Sequence, residues 1–114
     1  MLSSITIEKD QIIYEEGEPL GDGYILSLGK VQLFKNTSDG KLAEKQTINS
    51  MQVFGVWNSI LGNNVRLFTA KALEKSSALI IPKATLDKKL STLDPFLRLL
   101  FRQALSNSEN FGSL

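Results

Sequence analysis

The first two-thirds of the chain alternates short apolar segments with turn signals. The clearest alternation runs from Lys30 to Lys35, where polar and apolar side chains take turns as they do in a half-buried strand. The loop that follows ends in Asp39-Gly40, a dipeptide that is a strong signal for a β-hairpin. The strand candidates lie at residues 5–7, 11–14, 24–28, 30–35, 42–48, 66–72 and 78–81. Many short strands separated by turns predict a β-roll, barrel or sandwich.

The pattern changes after Pro82, where helical spacing replaces alternation. Thr85 is predicted to cap a short helix over residues 86–90. Asp94-Pro95 predicts a second helix, with Asp94 as its cap and Pro95 at its first position. The apolar stripe of this second helix is broad for a free surface helix, and its members are Phe96, Leu97, Leu99, Leu100, Phe101, Ala104 and Leu105.

Composition and charge narrow the functional classes. The 114 residues are enough for one domain with a real core. The formal net charge of +1 argues against non-specific binding to nucleic acid, which needs a basic surface. The chain has no histidine and no cysteine, so it lacks the usual metal ligands and the usual general base. No apolar run is long enough to cross a membrane, and the N-terminus does not resemble a signal peptide, so a cytoplasmic location is expected.

The segment most suggestive of chemistry is the glycine turn at residues 54–60, followed by Arg66. Gly55 permits a close approach of the backbone to a ligand. The first backbone N–H groups of a helix have no partner within the helix, so they can bind an anion. An arginine nearby could add a bidentate clamp. This arrangement predicts a site for a phosphate, with a surface arginine paired to a carboxylate as the alternative interpretation of Arg66.

The chain resembles the cyclic-nucleotide-binding domain family in an ordered series of motifs. Residues 11–34 match the front half of that family, with an apolar pair, a glycine–acidic turn, Gly21-Asp22, an aromatic–aliphatic strand and a Gly-x-Val. Val53-Phe54-Gly55 is similar to the start of the family's phosphate-binding cassette, and Arg66 has the spacing of its arginine. The last strand and the closing helix also have counterparts, so the resemblance covers about residues 5–105.

The resemblance implies a fold, a boundary and a role. The implied fold class is mainly β with C-terminal helices, an antiparallel β-roll of the jelly-roll or double-stranded β-helix type. Residues 1–114 would form one domain, with the roll at about 5–82 and the helices at about 84–107. The implied role is a regulatory sensor in signal transduction rather than an enzyme, with cyclic AMP, cyclic GMP or another small anion as the candidate ligand and no cofactor or metal. The ligand-binding residues it implies are Gly55, Val56, Trp57, Asn58, Arg66, Leu67 and Phe68.

Three departures from the family pattern bear on ligand binding. Val56 stands where the family has the glutamate that accepts a hydrogen bond from the ribose, and Asn58 stands where it has a small residue. Leu67 and Phe68 follow Arg66 where the family has small residues, and they could fill the pocket. Losing one charge-assisted hydrogen bond should cost about 1.5–3 kcal/mol. The sequence therefore predicts a site that is weakened or lost.

Two further interpretations compete with a sensor. A degenerate member of the fold would bind no nucleotide and would act as an interaction or assembly module. Its partner would be another protein or a second copy, bound through the C-terminal helix. An enzyme of the similar cupin barrel is disfavoured because those barrels bind metal through histidines. For two residues of the site a structural role is the simpler interpretation, with Trp57 in the core and Asn58 as a helix cap.

Overall fold

The computed structural model describes residues 2–56 and 64–106. Eight strands and two helices fall in these ranges: β1 (Ser3–Ile7), β2 (Ile12–Tyr14), β3 (Gly23–Leu28), β4 (Val31–Asn36), β5 (Leu42–Ile48), β6 (Val53–Phe54), β7 (Thr69–Ala72), β8 (Ser76–Ile81), α1 (Lys83–Ser91) and α2 (Pro95–Ser106). The predicted fold class, mainly β with C-terminal helices in an antiparallel β-roll, is confirmed.

The strands form two four-stranded antiparallel sheets. One sheet has the order β1-β8-β3-β6 and the other has the order β2-β7-β4-β5. Both sheets contribute buried side chains to a single core, because alternate residues of each strand face the other sheet. The fully buried residues Ile7, Leu26 and Ala78 come from the first sheet, and Val31 and Ile48 come from the second.

Six of the seven predicted strands differ from their predicted bounds by one to three residues, and the last two are explained by their hydrogen-bond partners. The strand predicted over residues 66–72 begins at Thr69, because residues 64–66 bond instead to the turn at residues 17–20. The strand predicted over 78–81 begins earlier, at Ser76, and pairs with both β1 and β3. β6 was not predicted, since a strand of two residues carries no periodicity.

The start of the first helix contradicts the prediction. α1 begins at Lys83, and Thr85 lies inside the helix rather than at its cap. The residue that caps α1 comes from a distant part of the sequence: the Lys83 N–H donates to Asp22 Oδ1 at 2.8 Å. A pattern search over neighbouring residues could not find this partner.

The start of the second helix agrees with the prediction. Asp94 Oδ1 accepts from the backbone N–H of Phe96 at 2.8 Å, and Pro95 is the first helical residue. The Arg98 guanidinium donates to the Leu90 carbonyl and so joins α2 to α1.

The apolar stripe of α2 lies largely at the surface. Phe96 is 68% exposed and Leu99 is 61% exposed, and Leu97, Leu100 and Phe101 are also exposed. Two further members of the predicted stripe, Ala104 and Leu105, have side chains outside the described set. Neither helix in the described ranges has the length and apolarity needed to cross a membrane.

Candidate functional site

Gly55 directly follows β6 and turns the backbone in a way that favours glycine. Its φ of +79° lies in the left-handed region, where a side chain adds strain. A Cβ at this position would also lie 3.0 Å from Arg66 Nη1 and 3.3 Å from Tyr14 Cε2. Conformation and space therefore both require glycine here, as the sequence predicts.

Arg66 points into the protein and its side chain closes on Gly55. The residue is only 4% exposed. Its Nη1 donates to the Gly55 carbonyl at 2.8 Å, and its Nη2 donates to the Asp22 carbonyl at 2.7 Å. The guanidinium carbon lies 4.1 Å from the centre of the Tyr14 ring, a distance at which a cation–π interaction is favourable. The glycine turn and the arginine thus meet, as their spacing predicts.

The backbone of Arg66 is fixed by the turn that follows β2. The Arg66 N–H donates to the Glu18 carbonyl at 2.8 Å, and the Gly17 N–H donates to the Arg66 carbonyl at 2.9 Å. Next to them, Pro19 and Val65 form an isolated antiparallel bridge. The arginine therefore does not depend on a flexible loop for its position.

Three aromatic rings line the protein side of the site. Tyr24 stacks on Phe54 with 5.2 Å between ring centres, and Tyr14 lies 6.3 Å from Tyr24. Burial raises the pKa of Tyr14 well above its ordinary value, although the nearby Arg66 charge opposes the shift. Burial also raises the pKa of Tyr24, again against the Arg66 charge. Both phenols are therefore neutral at physiological pH and do not neutralise the guanidinium.

The side chain of Val56 is packed into the protein. Val56 is 8% exposed, and its Cγ1 lies so close to Gly23 that a Cβ there would be 2.5 Å away. Leu86 of α1 and Ile81 at the end of β8 border the same space, at 3.7 and 3.8 Å from that Cβ position. Position 56 therefore has an apolar side chain packed against Gly23, which provides no hydrogen-bond acceptor.

Leu67 and Phe68 are both partly buried. Phe68 packs against the main core, and Lys35 Nζ lies 5.5 Å from the centre of its ring. The same Lys35 Nζ donates to the Leu67 carbonyl at 3.0 Å. The aromatic ring that stacks on the Arg66 guanidinium is that of Tyr14. Trp57 and Asn58 lie outside the described residues.

No carboxylate neutralises Arg66 in the part of the chain that the structure describes. The ion pairs there join Lys35 to Glu16, Lys71 to Asp10 and Lys83 to Asp87. Residues 2–56 and 64–106 also contain no cluster of acidic side chains suited to a metal ion. Among the described residues, the guanidinium is thus surrounded by carbonyl dipoles and an aromatic face, with no opposite charge beside it.

Sequence spacing correctly predicts that Gly55 and Arg66 meet, but it gives no signal for Tyr14 and Asp22 beside them. The sequence predicts only a strand at Tyr14 and only a motif of the family resemblance at Asp22. Asp22 lies 44 residues from Arg66 in sequence, so local spacing carries no signal for their contact. The Gly21-Asp22 motif was the one available hint, because it was part of the family resemblance.

The comparisons with known proteins agree with the fold and with the resemblance. The family model described as "Cyclic nucleotide-binding domain" matches residues 4–92. Among solved structures, the EAL enzyme Bd1971 in its cAMP-bound form is similar with a TM-score of 0.82 and 30% identity, over 91% of this chain and 28% of that one. Its cGMP-bound form has a TM-score of 0.81 and 30% identity, over 91% and 27% of the two chains.

A third similar structure comes from another kind of protein. The transcriptional regulator TM1171 from Thermotoga maritima has a TM-score of 0.69 and 25% identity, over 92% of this chain and 81% of that one. This chain spans only about a quarter of the length of the Bd1971 enzyme. None of the curated proteins compared with this chain matches it.

Proposed function

Because this chain belongs to the cyclic nucleotide-binding domain family, we propose that it is a regulatory module that binds a cyclic nucleotide or a related phosphate anion at Arg66. In this proposal residues 1–114 act as one domain, and the role of the domain is binding rather than catalysis. The ligand-facing residues would be drawn from Gly55 to Asn58 and from Arg66 to Phe68.

The observation that carries the proposal is that Arg66 is buried with no carboxylate paired to it in residues 2–56 and 64–106. A buried cation is costly unless an anion or several hydrogen bonds compensate it. Two backbone carbonyls and the Tyr14 ring compensate Arg66 in part. A phosphate would supply the full opposite charge and would accept two parallel hydrogen bonds from a guanidinium. The left-handed turn at Gly55 supports the same proposal, since it lets a ligand approach the backbone.

Calorimetric titration of the full chain with cyclic AMP and with cyclic GMP tests this proposal. These two nucleotides come first because both occur in the titles of similar structures. Arg66→Gln should weaken binding by about one to two orders of magnitude, as expected for the loss of a charge-assisted hydrogen bond. Lys71→Gln removes the same charge from β7, where the Lys71 ammonium lies 4.0 Å from the Asp10 carboxylate, and should leave the affinity unchanged. Equal affinities of Arg66→Gln and Lys71→Gln would contradict a site at Arg66.

A second candidate function is a non-binding module of the same fold. The packing of Val56 favours it, because an apolar side chain held against Gly23 cannot accept a hydrogen bond from a sugar. The internal hydrogen bonds of Arg66 favour it as well, since an anion would have to compete with two carbonyls. Absence of calorimetric heat for both nucleotides up to millimolar concentration would favour this second function over the first.

Under either function we propose that α2 contacts a protein partner or a second copy of the chain. The support is the exposure of Phe96 and Leu99, which lie on a helix rich in other exposed apolar residues. Sedimentation velocity over a range of concentrations tests self-association. Leu99→Glu should reduce it, whereas Asp87→Ala on α1 should not. A monomer at all concentrations would leave a different protein as the proposed partner.

A further inference from the structure

Each of the two sheets ends in two edge strands, and three of these four strands are protected against pairing with another chain. An edge strand presents unpaired backbone N–H and C=O groups, and proteins protect it by keeping it short, bulged or charged. β6 has two residues, and β2 has three residues with a register shift. β5 is longer, but it contains Glu44 and Lys45, and its register with β4 also shifts. These three strands are therefore poor templates for a further strand.

β1, the remaining edge strand, has none of these protections. Its five residues pair with β8 in one unbroken register from Ser3 to Ile7. The strand reads Ser-Ser-Ile-Thr-Ile, so it contains no charge and no proline, and its isoleucines and threonine favour strand structure. In the part of the chain that the structure describes, β8 is the only strand that pairs with β1. The outer backbone edge of β1 is therefore open to another strand.

The side chains of β1 extend the apolar core up to this open edge. Ile7 is 1% exposed, and Ile5 is partly buried against the core cluster. Ser4 and Thr6 lie on the opposite face, because alternate residues of a strand do so, and both are exposed. A strand added at this edge would cover more of Ile5 on one face and would meet two hydroxyls on the other.

We infer that β1 pairs antiparallel with β1 of a second copy of this chain. Pairing over the full strand, around a twofold axis at Ile5, places Ile5 opposite its own copy on the core face. The same register places Ser4 opposite Thr6 of the second copy on the exposed face, twice. Apolar pairs and hydroxyl pairs both stabilise a ladder, and no charges oppose each other within the five residues.

A second copy is the occupant that this strand fits best, because a twofold interface requires a surface that complements itself. β1 meets that requirement in its backbone edge, in its apolar face and in its hydroxyl face. The two four-stranded sheets that contain β1 would join into one sheet of eight strands. This interface lies on the roll and uses no residue of α2.

Sedimentation velocity of the full chain tests whether the dimer exists. A ladder of five residues is a small interface, so we expect a weak dimer with a dissociation constant between about 10 μM and about 1 mM. The chain should show a monomer–dimer equilibrium over that range, and a monomer throughout it would overturn the inference. The measurement needs no ligand, so calorimetry with cyclic nucleotides decides the proposed function separately.

Paired charges on the exposed face test the register. Ser4→Lys/Thr6→Lys places lysines opposite each other at two points of the ladder, and association should fall roughly tenfold or more. Ser4→Lys/Thr6→Glu places a lysine opposite a glutamate at the same two points and should restore association. Both variants change only exposed side chains, so both should fold, which circular dichroism would check. Equal losses in the two variants would overturn the antiparallel register.

Amide hydrogen exchange distinguishes this interface from one on α2. Dimerisation adds ladder hydrogen bonds, so the outward-pointing amides of β1 should exchange more slowly at high than at low protein concentration. The amide of Ala70 in the core should not change. Leu99→Glu on α2 should leave the concentration-dependent protection of β1 intact. Exchange of β1 that does not depend on concentration, or protection that Leu99→Glu abolishes and Ser4→Lys/Thr6→Lys leaves intact, would overturn the inference.

Discussion

At the scale of single residues, the site depends on what surrounds the Arg66 guanidinium. A buried guanidinium needs acceptors in fixed directions, because its donors form a rigid planar fork. The Gly55 and Asp22 carbonyls provide two of them. Tyr14 adds an aromatic face, which attracts a cation without supplying a counter-charge. The arginine is therefore held in place by groups that carry no negative charge.

Gly55→Ala should destabilise the fold by more than an equally left-handed glycine elsewhere. Left-handed backbone alone costs about 1–2 kcal/mol for a residue with a side chain. At Gly55 the added Cβ would also press on Arg66 and Tyr14, and overpacking of this kind adds about 1–3 kcal/mol. Urea unfolding monitored by fluorescence would measure the difference.

Gly40→Ala is the matched control for that measurement. Gly40 has a φ of +82°, and a Cβ there would meet nothing within 4 Å. It should therefore lose only the conformational part, about 1–2 kcal/mol. Equal losses for Gly40→Ala and Gly55→Ala would mean that Arg66 and Tyr14 do not confine the Gly55 backbone.

At the scale of elements, the two helices begin in different ways. α2 is capped by Asp94, its own neighbour in sequence. α1 is capped by Asp22, which is 61 residues away. The start of the first helix therefore depends on a residue of the roll, whereas the start of the second depends on its neighbour in sequence.

Asp94→Ala should fray the first turn of α2 without affecting the roll. The loss of an N-cap side chain costs about 0.5–2 kcal/mol of helix stability. The amides of Phe96 and Leu97 should exchange faster, because both lie within reach of Asp94 Oδ1. Asp94→Asn should retain most of the protection, since asparagine is also a good cap. Faster exchange throughout the β-strands would show instead that Asp94 supports the whole fold.

The strands and helices also show how much of the fold can be predicted from the sequence. Alternation and turn signals predict most of the strands, and Asp94-Pro95 predicts the start of α2. These predictions succeed because each depends only on residues that are neighbours in sequence. The wrong cap at Thr85 and the late start of β7 have one cause: each depends on a partner distant in sequence. Gly55 and Arg66 lie close enough in sequence for their spacing to predict their contact. Tyr14 and Asp22 contact Arg66 from much earlier in the sequence, so no local pattern predicts them. The pairing of Trp57 and Asn58 with a ligand stays a prediction.

At the scale of the whole molecule, one buried and one half-buried phenol link folding to pH. The chain has two tyrosines, Tyr14 and Tyr24, and burial raises the pKa of both above the ordinary value of 10.0. Above that pH the unfolded chain releases these protons while the folded chain keeps them. The unfolded state then binds fewer protons, so stability falls as the pH rises.

Tyr14→Phe should reduce the loss of stability at alkaline pH. The contribution of Tyr14 is fully present below pH 10 and should decline above it by about 1.4 kcal/mol per pH unit. Urea unfolding from pH 8 to pH 11 would compare the wild type with Tyr14→Phe and with Tyr24→Phe. The variants should lose less than the wild type, with Tyr14→Phe differing most because Tyr14 is the more deeply buried. Parallel curves for all three proteins would contradict a shifted phenol in the core.

The pairing of β1 with β8 also has a consequence for biosynthesis. Ser3 lies opposite Ile80 and Ile7 lies opposite Ser76. A ribosome adds roughly 5–20 residues per second, so β1 emerges about 4–15 s before its partner exists. During that interval Ile5 and Ile7 have no sheet to join. The apolar side chains of β1 therefore stay without their sheet partner until β8 has left the ribosome.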